Sequence, residues 1–171
     1  MHGFDDKLPG KYRTGFVNVT NTDKALPAPG LVPAKMKKFL ADVNRYRNDV
    51  IGKVASDHYE FESIHPFFDG NGRTGRLILI TQLLSKGFPP AIIAIEDRHK
   101  YYMALGKGDM GDFKNLVQMI CDSIVRGYYL LSERTADKNR RSNVLRDRIR
   151  TFRPNEAISH RKIWAHLKKG S

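Results

Sequence analysis

Residues 65–76 read His-Pro-Phe-Phe-Asp-Gly-Asn-Gly-Arg-Thr-Gly-Arg and run directly into the apolar residues Leu77 to Ile80. The apolar run predicts a helix that begins near Gly70. The first backbone N–H groups of a helix have no intrahelical partner, and the helix dipole is positive at this end. Glycines let a ligand approach these N–H groups closely. The sequence therefore predicts an anion-binding site at the start of this helix.

Charged and titratable side chains surround this predicted anion site. Arg73 and Arg76 are three residues apart, so they lie on one helix face and add positive charge to it. The carboxylate of Asp69 would repel an anion unless a cation such as Mg²⁺ lies between Asp69 and phosphate oxygens. His65 titrates near neutral pH and is suited to act as a general base. These residues predict a phosphate site with a metal ion and a base at its edge.

The same twelve residues resemble the signature of the Fic (Fic/Doc) domain family, His-x-Phe-x-Asp/Glu-Gly-Asn-Gly-Arg-x-x-Arg, and match it at every fixed position. The resemblance covers roughly residues 9 to 130 and includes the stretches Pro9–Arg13, His58–Phe61, Gly87–Pro90 and Arg98–Leu105. It implies a mainly α fold, a helical bundle around a central buried helix with a small β-hairpin flap.

The resemblance also implies an activity. Most proteins of this kind are protein adenylyltransferases, which move AMP from ATP to a Ser, Thr or Tyr hydroxyl of a target protein, depend on Mg²⁺ and release pyrophosphate. By resemblance, His65 deprotonates the hydroxyl and Asp69 holds Mg²⁺ between the α- and β-phosphates. Asn71, with the amides of Gly70 and Gly72, holds the α-phosphate in the transition state.

The two arginines are implied to bind the rest of the triphosphate, Arg73 near the β-phosphate and Arg76 at the γ-phosphate. Doc-type phosphotransferases carry Lys at the position of Gly72, which crowds the pocket, so glycine favours AMP transfer. Transfer of UMP, phosphocholine or phosphate stays open as an alternative within the family.

Tyr101 and Tyr102 allow two interpretations. The resemblance implies that this Tyr-Tyr helix lies near the nucleotide base, where an aromatic ring could stack on adenine. The alternative is that at least one ring packs in the core, as aromatic side chains on helices usually do.

An alternating stretch near the N-terminus predicts half of a small hairpin. It consists of Phe16, Val17, Asn18, Val19 and Thr20, and it breaks at Asn21-Thr22-Asp23. The resemblance implies a flap that binds the backbone of the target protein by strand addition. A plain edge hairpin is the alternative.

Apolar spacing predicts further helices around residues 36–43, 50–64, 96–105 and 113–131. The motif helix is expected to end at Gly87 and, being apolar on nearly all sides, to be the central buried helix. We expect His58 to be a hydrogen-bonded core residue and Cys121 to be a buried thiol.

The net charge of +12 is uneven along the 171 residues. Residues 134–171 hold 12 Lys/Arg and 3 Asp/Glu, whereas residues 1–133 hold 18 and 15. We therefore divide the chain into a catalytic core with its flap region, residues 1–133, and a basic helical segment, residues 134–171. That segment resembles the truncated lead into a winged-helix module. A basic helix is more often a solvated face, so DNA contact is not expected.

Location and regulation are also predicted. No apolar run approaches the roughly 20 residues of a membrane span, the N-terminus lacks a signal pattern, and the single cysteine suits a reducing cytoplasm. Fic proteins are often inhibited by a helix bearing Ser/Thr-x-x-x-Glu-Gly/Asn, and this motif is missing here. We expect a truncated, constitutively competent core or one inhibited by a separate antitoxin, and a homodimer is left open.

Two hypotheses that assign the chain to other classes of protein remain. A non-enzymatic nucleic-acid or partner-binding module would explain the basic C-terminal segment but not the complete motif. A metal-dependent phosphohydrolase built on His58, His65 and Asp69 would need more metal ligands than the sequence groups together.

Overall fold

A computed structural model describes residues 10–19, 24–43, 45 and 47–134 of the chain. Short 3₁₀ turns, Pro29–Leu31 and Ile95–Asp97, lead into two of the helices. The described part contains five α-helices, which are α1 (Val32–Asp42), α2 (Val50–Ile64), α3 (Asn71–Ser85), α4 (Arg98–Gly108) and α5 (Lys114–Arg134). None of the helices described is long and apolar enough to cross a membrane.

Helix α2 is the central element of the bundle. Asp49 caps its N-terminus, where the carboxylate oxygen Oδ1 accepts a hydrogen bond from the backbone N–H of Gly52 at 2.9 Å. The helix packs against α1, α3 and α5. Its side chains enter two hydrophobic clusters, with Val54 in one beside α5 and Phe61 in the other beside α1. The bounds of α2 agree with the helix predicted over residues 50–64.

The motif helix α3 is less buried than predicted. It buries one stripe, in which Gly75, Leu79 and Leu83 recur every four residues. Leu77 and Leu84 lie seven residues apart on another face and are 64% and 54% exposed. The prediction of a buried central helix is therefore wrong for α3, because a nearly continuous apolar run does not show how many of its faces are covered. In the described structure α2 has that central position.

The predicted β-hairpin is also wrong for the described residues. Phe16 to Val19 form no strand, and no strand occurs elsewhere among the residues that the structure describes. Five alternating residues are a weak strand signal, and a strand exists only when another strand pairs with it. Thr20, the last residue of the predicted flap, lies outside the described residues, as do residues 21–23.

The second half of the bundle consists of α4 and α5, which pack against each other. Helix α5 approaches the loop between α3 and α4 closely at Gly127, where an added Cβ would meet the carbonyl oxygen of Pro90. Cys121 is buried, as predicted, and burial raises the pKa of its thiol to about 12. The proposed division after residue 133 falls in the last turn of α5. The predicted basic helices of residues 135–171 lie outside the described part.

Candidate active site

The helix α2 ends at the predicted general base. His65 caps it in a left-handed backbone conformation with φ of 47° and ψ of 62°, which residues other than glycine rarely adopt. Its backbone N–H donates to the carbonyl oxygen of Phe61 at 3.0 Å. Pro66 follows and cannot continue the helix. The chain therefore turns here, and His65 lines a cleft at the start of α3.

One of the two imidazole nitrogens of His65 has a hydrogen-bond partner among the described residues. Its Nδ1 lies 3.3 Å from the carbonyl oxygen of Glu62. A carbonyl can only accept, so this contact assigns the proton to Nδ1 and leaves Nε2 as the basic nitrogen. Burial lowers the pKa of His65, the bond to Glu62 opposes this, and the positive charge of Arg13 lowers the pKa again. The ring is therefore mostly neutral at pH 7 and can accept a proton.

The loop between α2 and α3 is closed by Asn71. Its side chain is only 2% exposed. The oxygen Oδ1 accepts from the backbone N–H of Phe67 at 2.9 Å, and Nδ2 donates to the carbonyl oxygen of the same residue at 2.8 Å. One N–H of the amide group is left for an outside acceptor. Asn71 thus shapes the loop and can offer a single donor to a ligand.

The turn before α3 needs a glycine and holds the predicted metal ligand. Gly70 has φ of +80°, in the left-handed region that glycine adopts without strain. Its backbone N–H donates to Oδ1 of Asp69 at 2.6 Å, so this amide is not free for an anion. The other oxygen of Asp69 lies 3.4 Å from a terminal nitrogen of Arg73. Both of these charged side chains are largely exposed.

The first turn of α3 presents free donors and a guanidinium to the cleft. The helical bonds begin with the N–H of Thr74, which donates to the carbonyl oxygen of Gly70 at 2.9 Å. The N–H groups of residues 71–73 therefore have no intrahelical acceptor. An added Cβ on Gly72 would lie 3.3 Å from a terminal nitrogen of Arg76. A larger side chain at position 72 would compete with Arg76 for the same space.

The two tyrosines of α4 have different surroundings. Tyr101 is 6% exposed, and its hydroxyl lies 2.9 Å from Nε2 of His58. Burial raises the pKa of Tyr101 and lowers the pKa of His58 to about 4. The prediction of His58 as a hydrogen-bonded core residue is confirmed. Tyr102 is half-buried, and its hydroxyl accepts from Nε of Arg98 at 3.2 Å, so it is the ring better placed for a ligand.

Two spaces meet at the start of α3. An outer cleft of about 560 Å³ is lined by the whole 68–73 turn, by His65 and Arg76, and by Arg98 and Tyr102 of α4. A smaller inner cavity of about 170 Å³ shares part of this lining, including Arg76. Its lining includes His65, Gly72, Arg76, Tyr101 and Tyr102, which it shares with the cleft, and Val19, Lys24, Tyr59, Glu62, Leu105 and Asp109.

A polar cluster closes the inner cavity between the N-terminal segment and α4. The hydroxyl of Tyr59 donates to Oδ1 of Asp109 at 2.6 Å, and Nζ of Lys24 lies 3.2 Å from the same oxygen. The sequence alone does not assign these residues to the site. Their types are common on protein surfaces, so only the fold brings them together.

Glu62 and Gly75 were also not predicted from the sequence as part of the site. They lie where α2 and α3 cross. An added Cβ on Gly75 would lie 2.3 Å from Oε1 of Glu62. That oxygen is buried and has no hydrogen-bond partner among the described residues. Burial raises the pKa of Glu62 to about 7, although the positive charge of Arg76 opposes the shift. The amphipathic pattern of the α2 sequence does not predict that the carboxylate of Glu62 is buried.

The residues present fit a magnesium ion only if a ligand completes its coordination. Within the described part of the chain, no three His, Cys, Asp or Glu side chains group closely enough to hold a metal ion by themselves. Asp69 offers an exposed carboxylate at the mouth of the cleft. Mg²⁺ typically binds through one or two carboxylates together with substrate phosphates and water. The site therefore suits Mg²⁺ that arrives with a nucleotide.

Comparison with known proteins identifies a family and several relatives. Residues 1–83 match the Fic/DOC family. The chain is 40% identical over 103 residues to protein adenylyltransferase Fic of Culex quinquefasciatus, covering 58% of this chain and 21% of the relative. It is 38% identical over 112 residues to protein adenylyltransferase fic-1 of Caenorhabditis briggsae, covering 65% and 22%. The chain thus spans about a fifth of the length of these curated relatives.

Solved structures give the same result. A fragment of Fic-1 from C. elegans is 32% identical with a TM-score of 0.55, covering 67% of this chain and 34% of that one. A Fic domain containing signaling protein from Bacteroides thetaiotaomicron is 25% identical with a TM-score of 0.59, covering 71% and 53%. The fold and the complete motif define a Fic domain. The chain belongs to the Fic/DOC family.

Proposed function

We propose that this chain is a protein adenylyltransferase, which transfers AMP from ATP to a hydroxyl side chain of a target protein. The observation that carries the proposal is that one cleft is bordered by the basic nitrogen of His65 and by the free N–H groups at the start of α3. A base and an anion site in one cleft are what a phosphorus-centred displacement requires. Relatives named protein adenylyltransferase support the same reaction.

His65 is the general base of the proposed reaction. Its Nε2 takes the proton of a target hydroxyl while the hydroxyl oxygen forms a bond to the α-phosphorus. The bond between that phosphorus and the bridging oxygen to the β-phosphate breaks, and pyrophosphate leaves. The hydrogen bond from Nδ1 to the Glu62 carbonyl keeps the tautomer and the ring orientation that this step needs.

The start of α3 binds the triphosphate in this proposal. The N–H groups of residues 71–73 and the remaining donor of Asn71 meet the α-phosphate, where negative charge builds up in the transition state. Arg73 and Arg76 bind the departing β- and γ-phosphates. Gly70 contributes its conformation rather than its N–H, since that group is bonded to Asp69.

Asp69 would hold the magnesium ion together with phosphate oxygens. Mg²⁺, when bound, neutralises phosphate charge and orients the triphosphate. In the described structure Asp69 bonds to the N–H of Gly70 and lies near Arg73. Both partners can stay in place while one carboxylate oxygen turns to a cation, because a carboxylate has about four lone-pair sites.

The segment around Phe16 and Val19 is proposed to contact the target protein without forming a hairpin. Phe16 is 81% exposed, and Val19 lines the inner cavity. A target backbone lying along this segment would bring its hydroxyl toward His65. A separate inhibitory protein or helix would have to reach Arg76, which lines both the cleft and the cavity.

A labelling experiment tests the proposal. Wild type and His65→Ala are incubated with Mg²⁺, a cell lysate and ATP that carries its label on either the α- or the γ-phosphate. We expect protein-bound α-label with wild type and about 100- to 10,000-fold less with the variant, the usual contribution of a general base. ATP binding is measured in parallel and is expected to be unchanged in the variant.

Other outcomes separate the alternatives. Protein-bound γ-label would mean phosphate transfer and would contradict the argument from Gly72. Label transfer from UTP or CTP but not from ATP would leave the mechanism and change the nucleotide. If wild type binds no ATP at all, the adenylyltransferase proposal is wrong and a binding module becomes the better interpretation.

A further inference from the structure

The side chain of Arg13 is buried beside the catalytic loop, and its partners among the described residues are backbone carbonyls. It is 1% exposed, and its backbone N–H donates to the carbonyl oxygen of Pro66 at 2.8 Å. Its guanidinium donates to four further carbonyl oxygens, from Nε to His65 at 2.8 Å, from NH1 to Gly15 at 3.1 Å, and from NH2 to Pro27 at 2.6 Å and to Ile64 at 3.5 Å.

These carbonyls belong to two different parts of the site. Ile64 and His65 end α2, where carbonyl oxygens lack intrahelical donors and the helix dipole is negative. Gly15 and Pro27 lie on either side of the segment that contains Phe16 and Val19. One buried guanidinium therefore joins the general base to both ends of the segment proposed to meet the target.

The contact at His65 is the one with consequences for chemistry. His65 has a left-handed backbone conformation, which costs energy for a residue with a side chain. The bond from Nε of Arg13 to the His65 carbonyl fixes the peptide group that follows this strained residue. Fixing that group also restrains the direction of the imidazole, whose second restraint is the 3.3 Å contact of Nδ1 with Glu62.

We propose that Arg13 is a positioning residue that orients His65 and holds the target-binding segment beside it. The inference rests on the function proposed above and adds a residue outside the Fic motif. Arg13 lines neither the outer cleft nor the inner cavity. Its loss is therefore expected to slow transfer while leaving the affinity for MgATP nearly unchanged.

The arrangement requires the shape of arginine and not only its charge. Four donors of a planar group point at four acceptors, whereas the ammonium of lysine has three donors on one atom. Arg13→Lys keeps the positive charge but loses the planar set of donors, so it tests directly whether the shape of the guanidinium is required. Arg13→Gln keeps some donors and loses the charge. Arg45→Ala is the control, because Arg45 is an exposed arginine whose ion pair among the described residues is with Asp42 at 3.0 Å.

The three variants are compared with wild type in α-label transfer, in MgATP affinity and in thermal melting. We also follow the ring resonances of His65 and of the exposed His99 by NMR. For Arg13→Lys we expect about a 10- to 100-fold fall in the transfer rate, as small misplacements of reacting groups typically cause. The Kd for MgATP changes less than about twofold, the His65 ring signals shift or broaden, and those of His99 do not. Arg45→Ala behaves like wild type.

Three results would overturn the inference. The first is a folded Arg13→Lys variant with wild-type transfer and unchanged His65 signals. The second is a parallel loss of transfer and MgATP affinity, which would show a general collapse of the site. The third is failure of both Arg13 variants to fold, which would show that Arg13 is required for folding and not specifically for orienting His65. If wild type transfers no AMP, the proposed function fails, and the NMR comparison still decides whether Arg13 orients His65.

Discussion

The loop of residues 66–70 and the segment of residues 10–19 both border His65, but they are held by different kinds of contact. The loop is closed from within, since the Asn71 side chain bonds to both backbone groups of Phe67 only four residues away. The segment is held by a contact that is distant along the chain, because the guanidinium of its own residue Arg13 bonds to a carbonyl 52 residues away.

This difference explains how far a short motif can predict an active site. Contacts within the loop are made by side chains at fixed spacing, so the sequence of residues 65–76 already contains both partners of each contact. Arg13 bonds to carbonyl oxygens, which every residue carries. No pattern of side chains marks such acceptors, and only the folded chain shows them.

Asn71 gives the largest test of the comparison, because it is the local counterpart of Arg13. In Asn71→Ala the backbone N–H and carbonyl of Phe67 lose their partners, and the site loses one donor to the α-phosphate. We expect AMP transfer to fall about 100- to 1,000-fold, the usual effect of removing a transition-state donor. The free energy of unfolding should fall by about 1–3 kcal/mol, measured by urea denaturation.

Asn71→Asp separates the two roles of this side chain. A carboxylate still accepts from the N–H of Phe67 and suits the N-terminus of a helix, so stability should fall less than in the alanine variant. It cannot donate to a phosphate and repels it, so transfer should fall at least as far. If the loss of transfer followed the loss of stability in the same proportion in both variants, Asn71 would act only by shaping the loop.

The same distinction between local and distant contacts accounts for what the sequence predicted correctly. The bounds of α2 and the positions of His65 and Asn71 follow from spacing, from Pro66 and from Gly70. The hairpin was wrong for the described residues because a strand needs a partner that a short alternating stretch cannot specify. The burial of α3 was overestimated because the sequence does not show which faces of a helix are covered. Glu62 escaped prediction because carboxylates on a helix are usually exposed to solvent, and no spacing in α2 marks this one as an exception.

Gly75 tests a contact that is neither within the loop nor as distant along the chain as the Arg13 contact. It lies where α2 and α3 cross. An added Cβ would lie 2.3 Å from Oε1 of Glu62 and 3.1 Å from Cδ1 of Phe61. The phenyl ring is buried and cannot move freely, so Gly75→Ala should reduce the free energy of unfolding by about 1–3 kcal/mol. Urea denaturation at pH 7 measures the change.

Gly106 provides the matched control for this helix glycine. It lies inside α4, and an added Cβ would meet nothing within 4 Å. Gly106→Ala should therefore raise stability by about 0.5–1 kcal/mol through the better helix propensity of alanine. Equal changes in the two variants would show that helix propensity, and not the close crossing, determines the effect at Gly75.

Glu62 gives an effect on stability whose size depends on pH. The ordinary pKa of 4.5 is raised to about 7 in the folded protein, chiefly by burial. Such a group contributes stability that is fully present below the unfolded pKa and is lost as pH rises through about 7. His58 acts in the opposite direction, since its pKa falls from 6.5 to about 4 and its contribution is lost as pH falls across that range.

Glu62→Gln removes the first of these two groups and keeps the second. Glutamine cannot ionise, so the variant should gain stability relative to wild type between pH 4.5 and 7 and keep the gain above pH 7. We expect roughly 1–2 kcal/mol at pH 8 and almost no difference at pH 4.5, measured as urea denaturation midpoints. The effect of His58 is common to both proteins and cancels in the difference. A difference that does not change with pH would mean that the Glu62 carboxyl titrates near its ordinary pKa in the folded protein, and that the crossing of α2 and α3 is more accessible to water than its burial indicates.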